Sequence, residues 1–167
     1  MQKIETERKL IIKIPPIEKL KSCGGFTESR ITQIYLADPA ATHRIRKREY
    51  SDGKVEYTEN IKRRISSMSS IEDEREISEA EFLSLAEQRD ERTQPLFKIR
   101  RTVDYRGFVL ELDFYEKWLR TCVMEIELPG EEVSLELPDF IEVVRDVTGM
   151  REYSNHSMSR AFPDEII

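Results

Sequence analysis

Two stretches of this chain, Leu110-Glu111-Leu112-Asp113-Phe114 and Met124-Glu125-Ile126-Glu127-Leu128, alternate apolar residues with carboxylates. Successive side chains of a strand point to opposite faces, so each stretch makes a strand with one apolar and one acidic face. The same spacing puts Glu5, Glu7 and Lys9 on one face, and pairs Arg44 with Arg46, Lys62 with Arg64, Glu72 with Glu74, and Lys98 with Arg100. In any single strand, a solvated outer face produces such a stripe. Here nearly every strand carries one, most stripes are of one sign, and the opposite faces offer Leu110, Leu112, Phe114, Met124, Ile126 and Leu128 for helices to cover. The charged faces then look at one another inside a closed antiparallel β-barrel. Isolated buried ions cost several kcal/mol each, so such an interior must be wet, paired, or filled by a ligand that needs both signs.

The rest of the pattern supports a barrel. Period-two segments are predicted as strands at Lys3 to Lys13, Arg30 to Leu36, Thr42 to Glu49, Val55 to Arg64, Glu72 to Ile77, Leu96 to Tyr105, Gly107 to Tyr115 and Cys122 to Leu128. Asp52-Gly53 and Asp104-Tyr105-Arg106-Gly107 read as hairpin turns between antiparallel neighbours. Pro15-Pro16 opens a short helix whose Ile17 and Leu20 share a face before Gly24-Gly25. Ser78 with Glu81 forms a capping box ahead of Phe82, Leu85 and Ala86, a stripe that ends near Asp90. A further helix is expected from Asp139, after Pro138, to Gly149, carrying Phe140, Val143, Val144 and Val147. These helices would plug or buttress the barrel, and residues 65 to 71 read as a mobile connection between strands.

With 167 residues and no internal repeat, the chain reads as one domain, 1–167. A charged fraction of 36% against 38% hydrophobic is polar, yet leaves enough Ile, Leu, Val, Phe and Tyr for a core. The net charge of -6 argues against nucleic-acid binding through bulk basicity. No apolar run nears the roughly 18 residues a membrane-spanning helix needs, and the first residues lack a signal-peptide pattern, so neither membrane nor nucleic acid is expected as a partner and a cytoplasmic location is. Cys23 and Cys122 fit no Cys-x-x-Cys pattern and read as reduced thiols, and His43 and His156 as surface or packing residues.

Carboxylate clusters without Cys or His suit a hard cation, Mg²⁺ or Mn²⁺, which takes oxygen ligands and often shares its coordination sphere with substrate phosphates. Lys and Arg clusters suit the phosphate oxygens themselves. Together they describe a metal-polyphosphate site, and no Walker-type Gly-Lys-Ser/Thr sequence is present to offer a different phosphate cradle.

In order along the chain, Glu5-Thr6-Glu7-Arg8-Lys9, Gln33-Ile34-Tyr35-Leu36, Arg44-Ile45-Arg46, Lys62, Glu72-Asp73-Glu74, Lys98-Ile99-Arg100, Glu111-Leu112-Asp113 and Glu125-Ile126-Glu127 resemble the motifs of the CYTH domain, or triphosphate tunnel metalloenzyme, superfamily. Tyr153-Ser154-Asn155 resembles its closing segment. The resemblance covers nearly the whole chain, and the Gln-x-Tyr-Leu setting of Tyr35 looks more like the inorganic triphosphatase branch than the adenylyl cyclase branch. Two positions depart from the pattern: Asn60 where Thr is usual, and Ser70 where an Arg is common.

The resemblance implies an eight-stranded tunnel open at both ends, and hydrolysis of inorganic tripolyphosphate or an organic triphosphate. Lys9, Arg44, Arg46, Lys62, Lys98 and Arg100 would bind phosphate oxygens. Glu5, Glu7, Glu125 and Glu127 would hold the divalent metal. Glu72, Glu74, Glu111 and Asp113 would complete a second metal site, orient the basic side chains, or position the attacking water. A carboxylate such as Glu72 or Glu74, or Lys9, would accept the water's proton, and Tyr35 would shape the tunnel. The expected partners are the triphosphate and, at most, a second copy of the chain as a homodimer.

Overall fold

The computed structural model describes residues 2–167 and contains nine strands and three short α-helices among them. The strands are β1 (Gln2–Lys13), β2 (Thr27–Leu36), β3 (Thr42–Tyr50), β4 (Val55–Arg64), β5 (Ser69–Glu76), β6 (Leu96–Tyr105), β7 (Phe108–Phe114), β8 (Thr121–Glu127) and β9 (Val143–Asp146). Their order is β5-β4-β3-β2-β6-β7-β8-β1-β9, and β5 also pairs with β1, which closes eight antiparallel strands into a barrel. Closure leaves no long open edge. β1 accomplishes it by sharing one edge: Gln2 to Thr6 pair with β5, while Leu10 to Ile12 pair with β9.

The outer face is apolar and covered, as the alternation requires. Leu110, Leu112, Met124 and Ile126 are fully buried with Leu10, Ile12 and Val103 under Leu20 of α1 (Ile17–Ser22) and under Leu135, Leu137, Phe140 and Ile141. On the opposite side α2 (Glu79–Ala86) lays Phe82 and Leu85 over Ile34, Leu36 and Ile45, and its Ser78 cap accepts a hydrogen bond from the Glu81 amide at 3.1 Å. Arg106 and Gly107 take positive φ values of 48° and 80°, the geometry of the tight turn expected between β6 and β7.

Two expectations need correction. No helix forms from Asp139 to Gly149; instead Val143–Asp146 is β9. β5 leaves β1 after Thr6, so the backbone groups beyond it need partners. β9 and its flanks supply them, with the Lys13 amide donating to the Glu142 carbonyl and the Val147 amide to that of Lys9. The β-branched Val143 and Val144 suit that extended path. Nor is 65 to 71 a loose connection. Ser66 Oγ accepts from the Met68 and Ser69 amides in a tight turn, and Ser69 to Ile71 belong to β5.

At one end the inward-facing positions change character. Ile11, Leu96 and Val123 continue the faces of Lys9, Lys98 and Glu125 but pack against Tyr115, Trp118, Val147, Tyr153 and Met158. The C-terminal segment enters the barrel here through a 3-10 turn (Arg151–Tyr153) and α3 (Asn155–Arg160). Its latches are Tyr115 to Asn155 at 2.7 Å, the Trp118 indole to the Pro163 carbonyl at 3.1 Å, and Glu165 accepting the Arg120 and Thr121 amides. A tunnel uniformly open at both ends is therefore not what forms: apolar side chains fill part of this end.

Candidate functional site

The inward faces enclose a cavity of about 650 Å³. Ten Lys and Arg side chains and seven Glu side chains line it, and barrel order sorts them. The contiguous strands β4, β3, β2 and β6 bring Lys62, Arg44, Arg46, Arg48 and Arg100 together, with the neutral Gln33 and Tyr35 between them. The other four, β7, β8, β1 and β5, bring Glu111, Glu125, Glu127, Glu5, Glu7, Glu72 and Glu74. One wall is basic, the facing wall acidic apart from Lys3 and Lys9 of β1.

On the basic wall cations crowd each other. Arg46 donates to Gln33 Oε1 at 3.0 Å, and Gln33 Nε2 donates to the Tyr35 hydroxyl at 2.9 Å. The Nε atoms of Arg44 and Arg46 are buried without an acceptor among the described residues. Burial, then the nearby Arg44 and Arg100, pulls Arg46 down to about 9. Arg44 goes the other way, because Tyr35, Glu72 and Glu74 outweigh the burial that would lower it. Buried donors without acceptors are expensive, and anionic oxygens are their natural partners.

On the acidic wall carboxyls crowd each other. Burial and the charge of Glu125 raise Glu7 to about 8, while Glu125 falls well below the carboxylate range because Lys9, Arg100, Lys98 and a hydrogen bond from Glu7 outweigh its own burial. Glu7 therefore keeps the proton and Glu125 the charge. Glu72 is raised by burial and by Glu5, with which it shares a hydrogen bond, and Glu127 by burial and by Glu111, its own hydrogen-bonding neighbour. Lys62 ties the walls together at 3.3 Å from Glu5 and 3.7 Å from Glu72. Lys9 lies 3.4 Å from Glu125 and donates to the Tyr153 carbonyl at 3.3 Å, which suits a fixed cationic ligand.

The carboxyls meet in pairs, and among the described residues no three His, Cys, Asp or Glu side chains converge on one point. Their chemistry nonetheless fits a hard divalent cation. The donors are all oxygen, and a cation between paired carboxyls relieves the repulsion that holds Glu7, Glu72 and Glu127 above the usual carboxylate range. Glu5, Glu7, Glu125 and Glu127 are the residues that would hold it, with Glu111 beside Glu127.

Two expected site residues lie beneath the cavity instead of lining it. Lys98 and Asp113 are 0% and 1% exposed at their side chains, 2.7 Å apart. Asp113 also takes a bidentate fork from Arg100, with Nε at 2.7 Å and Nη2 at 2.9 Å, and Arg100 reaches Glu111 at 2.5 Å. Both oxygens of Asp113 are engaged by Lys98 and Arg100, and neither Asp113 nor Lys98 lines the cavity. Burial pulls the Lys98 ammonium down to about 7, with Arg100 and Arg46 adding to it against the pull of Asp113. The structure adds lining residues that sequence pairing passed over, Lys3, Arg48, Arg151, His156 and Arg160, and Arg64, paired with Lys62 in the sequence, lines the cavity too. Lys3 and Arg48 simply continue the period-two faces of Glu5 and Arg46, so the signal was present. The remaining three sit on the C-terminal segment, where no periodicity marks them.

The chain matches no family model and no curated protein. Solved structures do match. The barrel superposes on "the inorganic triphosphatase NE1496" with a TM-score of 0.59, at 23% identity over 95% of this chain and 96% of that one. PH1819 protein from Pyrococcus horikoshii OT3 is similar with a TM-score of 0.57, at 22% identity over 74% of this chain and 77% of that one. A conserved hypothetical protein from Pyrococcus furiosus follows with a TM-score of 0.54, at 16% identity, over 76% of this chain and 81% of that one. Among the described residues no helix is long and apolar enough to cross a membrane. Eight closed antiparallel strands, a charged lumen and these superpositions give the chain the fold of the CYTH domain, or triphosphate tunnel, superfamily.

Proposed function

We propose that this chain hydrolyses a linear triphosphate, inorganic tripolyphosphate before others, to pyrophosphate and phosphate with Mg²⁺ or Mn²⁺. The observation that carries this reading is the sorting of charge into facing walls. A metal-triphosphate ion pair matches it, with phosphate oxygens on Arg44, Arg46, Lys62, Arg100 and Lys9, and the cation on the Glu5, Glu7, Glu125 and Glu127 side. A divalent cation held by Glu5, Glu7, Glu125 and Glu127 would supply charge neutralisation at the phosphate oxygens. The guanidinium groups do the same from the opposite wall, already fixed in place by Gln33 and Asp113, so little reorganisation accompanies reaction. Water attacks a terminal phosphorus, the bridging P–O bond breaks, and pyrophosphate leaves; Glu72 and Glu74, on β5 directly beside Lys62 and Asn60 of β4, are the lining carboxylates next to the basic wall that can take the water's proton.

The inorganic substrate is favoured over an organic one by the rings available. Tyr35 and His156 are the aromatic side chains lining the cavity among the described residues, and they pack on each other with centroids 5.0 Å apart. No other aromatic ring among the described residues lines the cavity for a base or a thiazole to stack on.

Phosphate release from tripolyphosphate, ATP and thiamine triphosphate with either metal, alongside cyclic AMP detection from ATP, tests the proposal. Release is expected from tripolyphosphate first. Cyclic AMP formation would overturn the hydrolase reading, and tight binding without turnover would make the protein a polyphosphate sensor. Arg46→Ala is expected to lower turnover about a hundredfold, the usual loss for one preorganised electrostatic contact. Saturating tripolyphosphate with Mg²⁺ is expected to raise Tm by about 5–10 °C, since a hundredfold excess over Kd adds about 2.7 kcal/mol. An unmoved Tm would count against the site.

A further inference from the structure

Arg64 lies at the end of β4, on the same inward face as Asn60 and Lys62 and directly opposite Ser70 in the β4–β5 ladder. It lines the cavity, yet pairs with no carboxylate among the described residues. Instead three backbone carbonyls hold its guanidinium: Ser66 at 2.9 Å, Ser67 at 3.4 Å and Gly149 at 2.7 Å. The turn around it is tight. Gly149 has φ +74°, and a β-carbon there would fall 2.8 Å from Ser67 Cβ and 3.0 Å from Arg64 Nη2.

The surroundings are rich in hydroxyls, of which Ser66 already donates to Glu131, Thr148 to the Lys9 carbonyl, and Ser69 is hydrogen-bonded to Thr6, leaving Ser67 and Ser70 to face a ligand. Ser66, Ser67, Ser69, Ser70 and Thr148 line the same part of the cavity. Glu131 accepts from Ser66 Oγ at 2.5 Å but is not part of the lining. A guanidinium fixed on neutral carbonyls keeps its full charge for a ligand, and hydroxyls donate to phosphate oxygens without repelling them.

Resting on the reading above, we propose that Arg64 and the Ser66–Ser70 turn form an additional phosphate-binding position at the end of the cavity, taking the oxygens of a phosphoryl group. Ser70 is small enough to leave that position open. The group is either the substrate's terminal phosphoryl or the released orthophosphate.

Calorimetric titration separates the outcomes, using Mg²⁺ with tripolyphosphate, and separately with orthophosphate. Arg64→Ala is expected to weaken tripolyphosphate about tenfold, the loss of one charge-assisted contact. Adding Ser70→Arg to it restores affinity, because position 70 faces the same space. Arg64→Gln keeps a donor for the carbonyls while removing the charge, and is expected to weaken binding similarly should Arg64→Ala fail to fold. If orthophosphate alone loses affinity, the position holds the product. Unchanged affinity for both anions in Arg64→Gln, with a lower ligand-free Tm, would reduce Arg64 to a buckle between two turns and overturn the proposal. Weakened binding in Arg46→Ala in that case would leave the hydrolase reading standing. No binding by the wild-type chain would sink both.

Discussion

Asp113→Ala is expected to destabilise the protein by about 3–5 kcal/mol, the penalty for removing one partner of a buried ionic network and leaving the rest uncompensated. Asp113 is 1% exposed and is the anchor of both Lys98 and Arg100. Without it Arg100 keeps only Glu111 among the contacts of this group, and Lys98, already pulled down to about 7, loses the charge that helps it hold its proton. Urea unfolding at pH 7 measures the effect. Because part of the penalty is the buried Lys98 amine left without its partner, Lys98→Met on the Asp113→Ala background is expected to recover part of the loss. Asp113→Ala within about 1 kcal/mol of wild type would show that water or rearranged side chains satisfy those cations, since surface-like substitutions fall in that range. Tripolyphosphate turnover should fall too, as Arg100 loses the fork that aims it.

Glu7→Gln is expected to pull activity and stability in opposite directions. As a metal-side carboxylate, its loss should lower turnover at least about a hundredfold, comparable to removing one preorganised electrostatic contact. In the metal-free protein the sign reverses. The folded state binds the Glu7 proton more tightly than the unfolded chain, with a value near 8 against 4.5. The associated stability is fully present below pH 4.5 and is lost as pH rises toward 8, amounting to up to about 4 kcal/mol for a shift of this size. Glu72 and Glu127, raised in the same direction, add to the decline. Lys98, lowered to about 7, has the opposite slope, but only above that pH. The metal-free wild type should therefore lose stability between pH 5 and 7, and Glu7→Gln should be the more stable protein at pH 8. A flat wild-type profile over that window, or a less stable Glu7→Gln, would contradict the carboxyl pairing.

Much of the barrel was legible because its signal is local. Period-two alternation in Leu110–Phe114 and Met124–Leu128 states which residues share a face whatever the strand pairs with, and Val55–Arg64 and Leu96–Tyr105 form with the expected ends. What was not legible depends on neighbours. The basic wall exists because β2 pairs with β6 across a gap filled by three strands and a helix, a choice that no local pattern in either strand encodes. Depth is likewise hidden. Lys98 and Glu125 read alike as inward charges, but the plug of Tyr115, Trp118 and Tyr153 closes the barrel at one end, so Lys98 is sealed under Arg100. Val143 and Val144 misled for a related reason. Their spacing fits a helix, but the unpaired edge of β1 decided the conformation.

The most direct measurement is calorimetric titration of tripolyphosphate into the protein with and without Mg²⁺ or Mn²⁺, at pH 7 and pH 8. Facing acidic and basic walls predict tight binding only when metal and tripolyphosphate are present together, with a proton released as the cation replaces the one Glu7 holds beside Glu125. Equal affinity with and without metal, or no binding in either case, would contradict a lumen built for a metal-triphosphate pair.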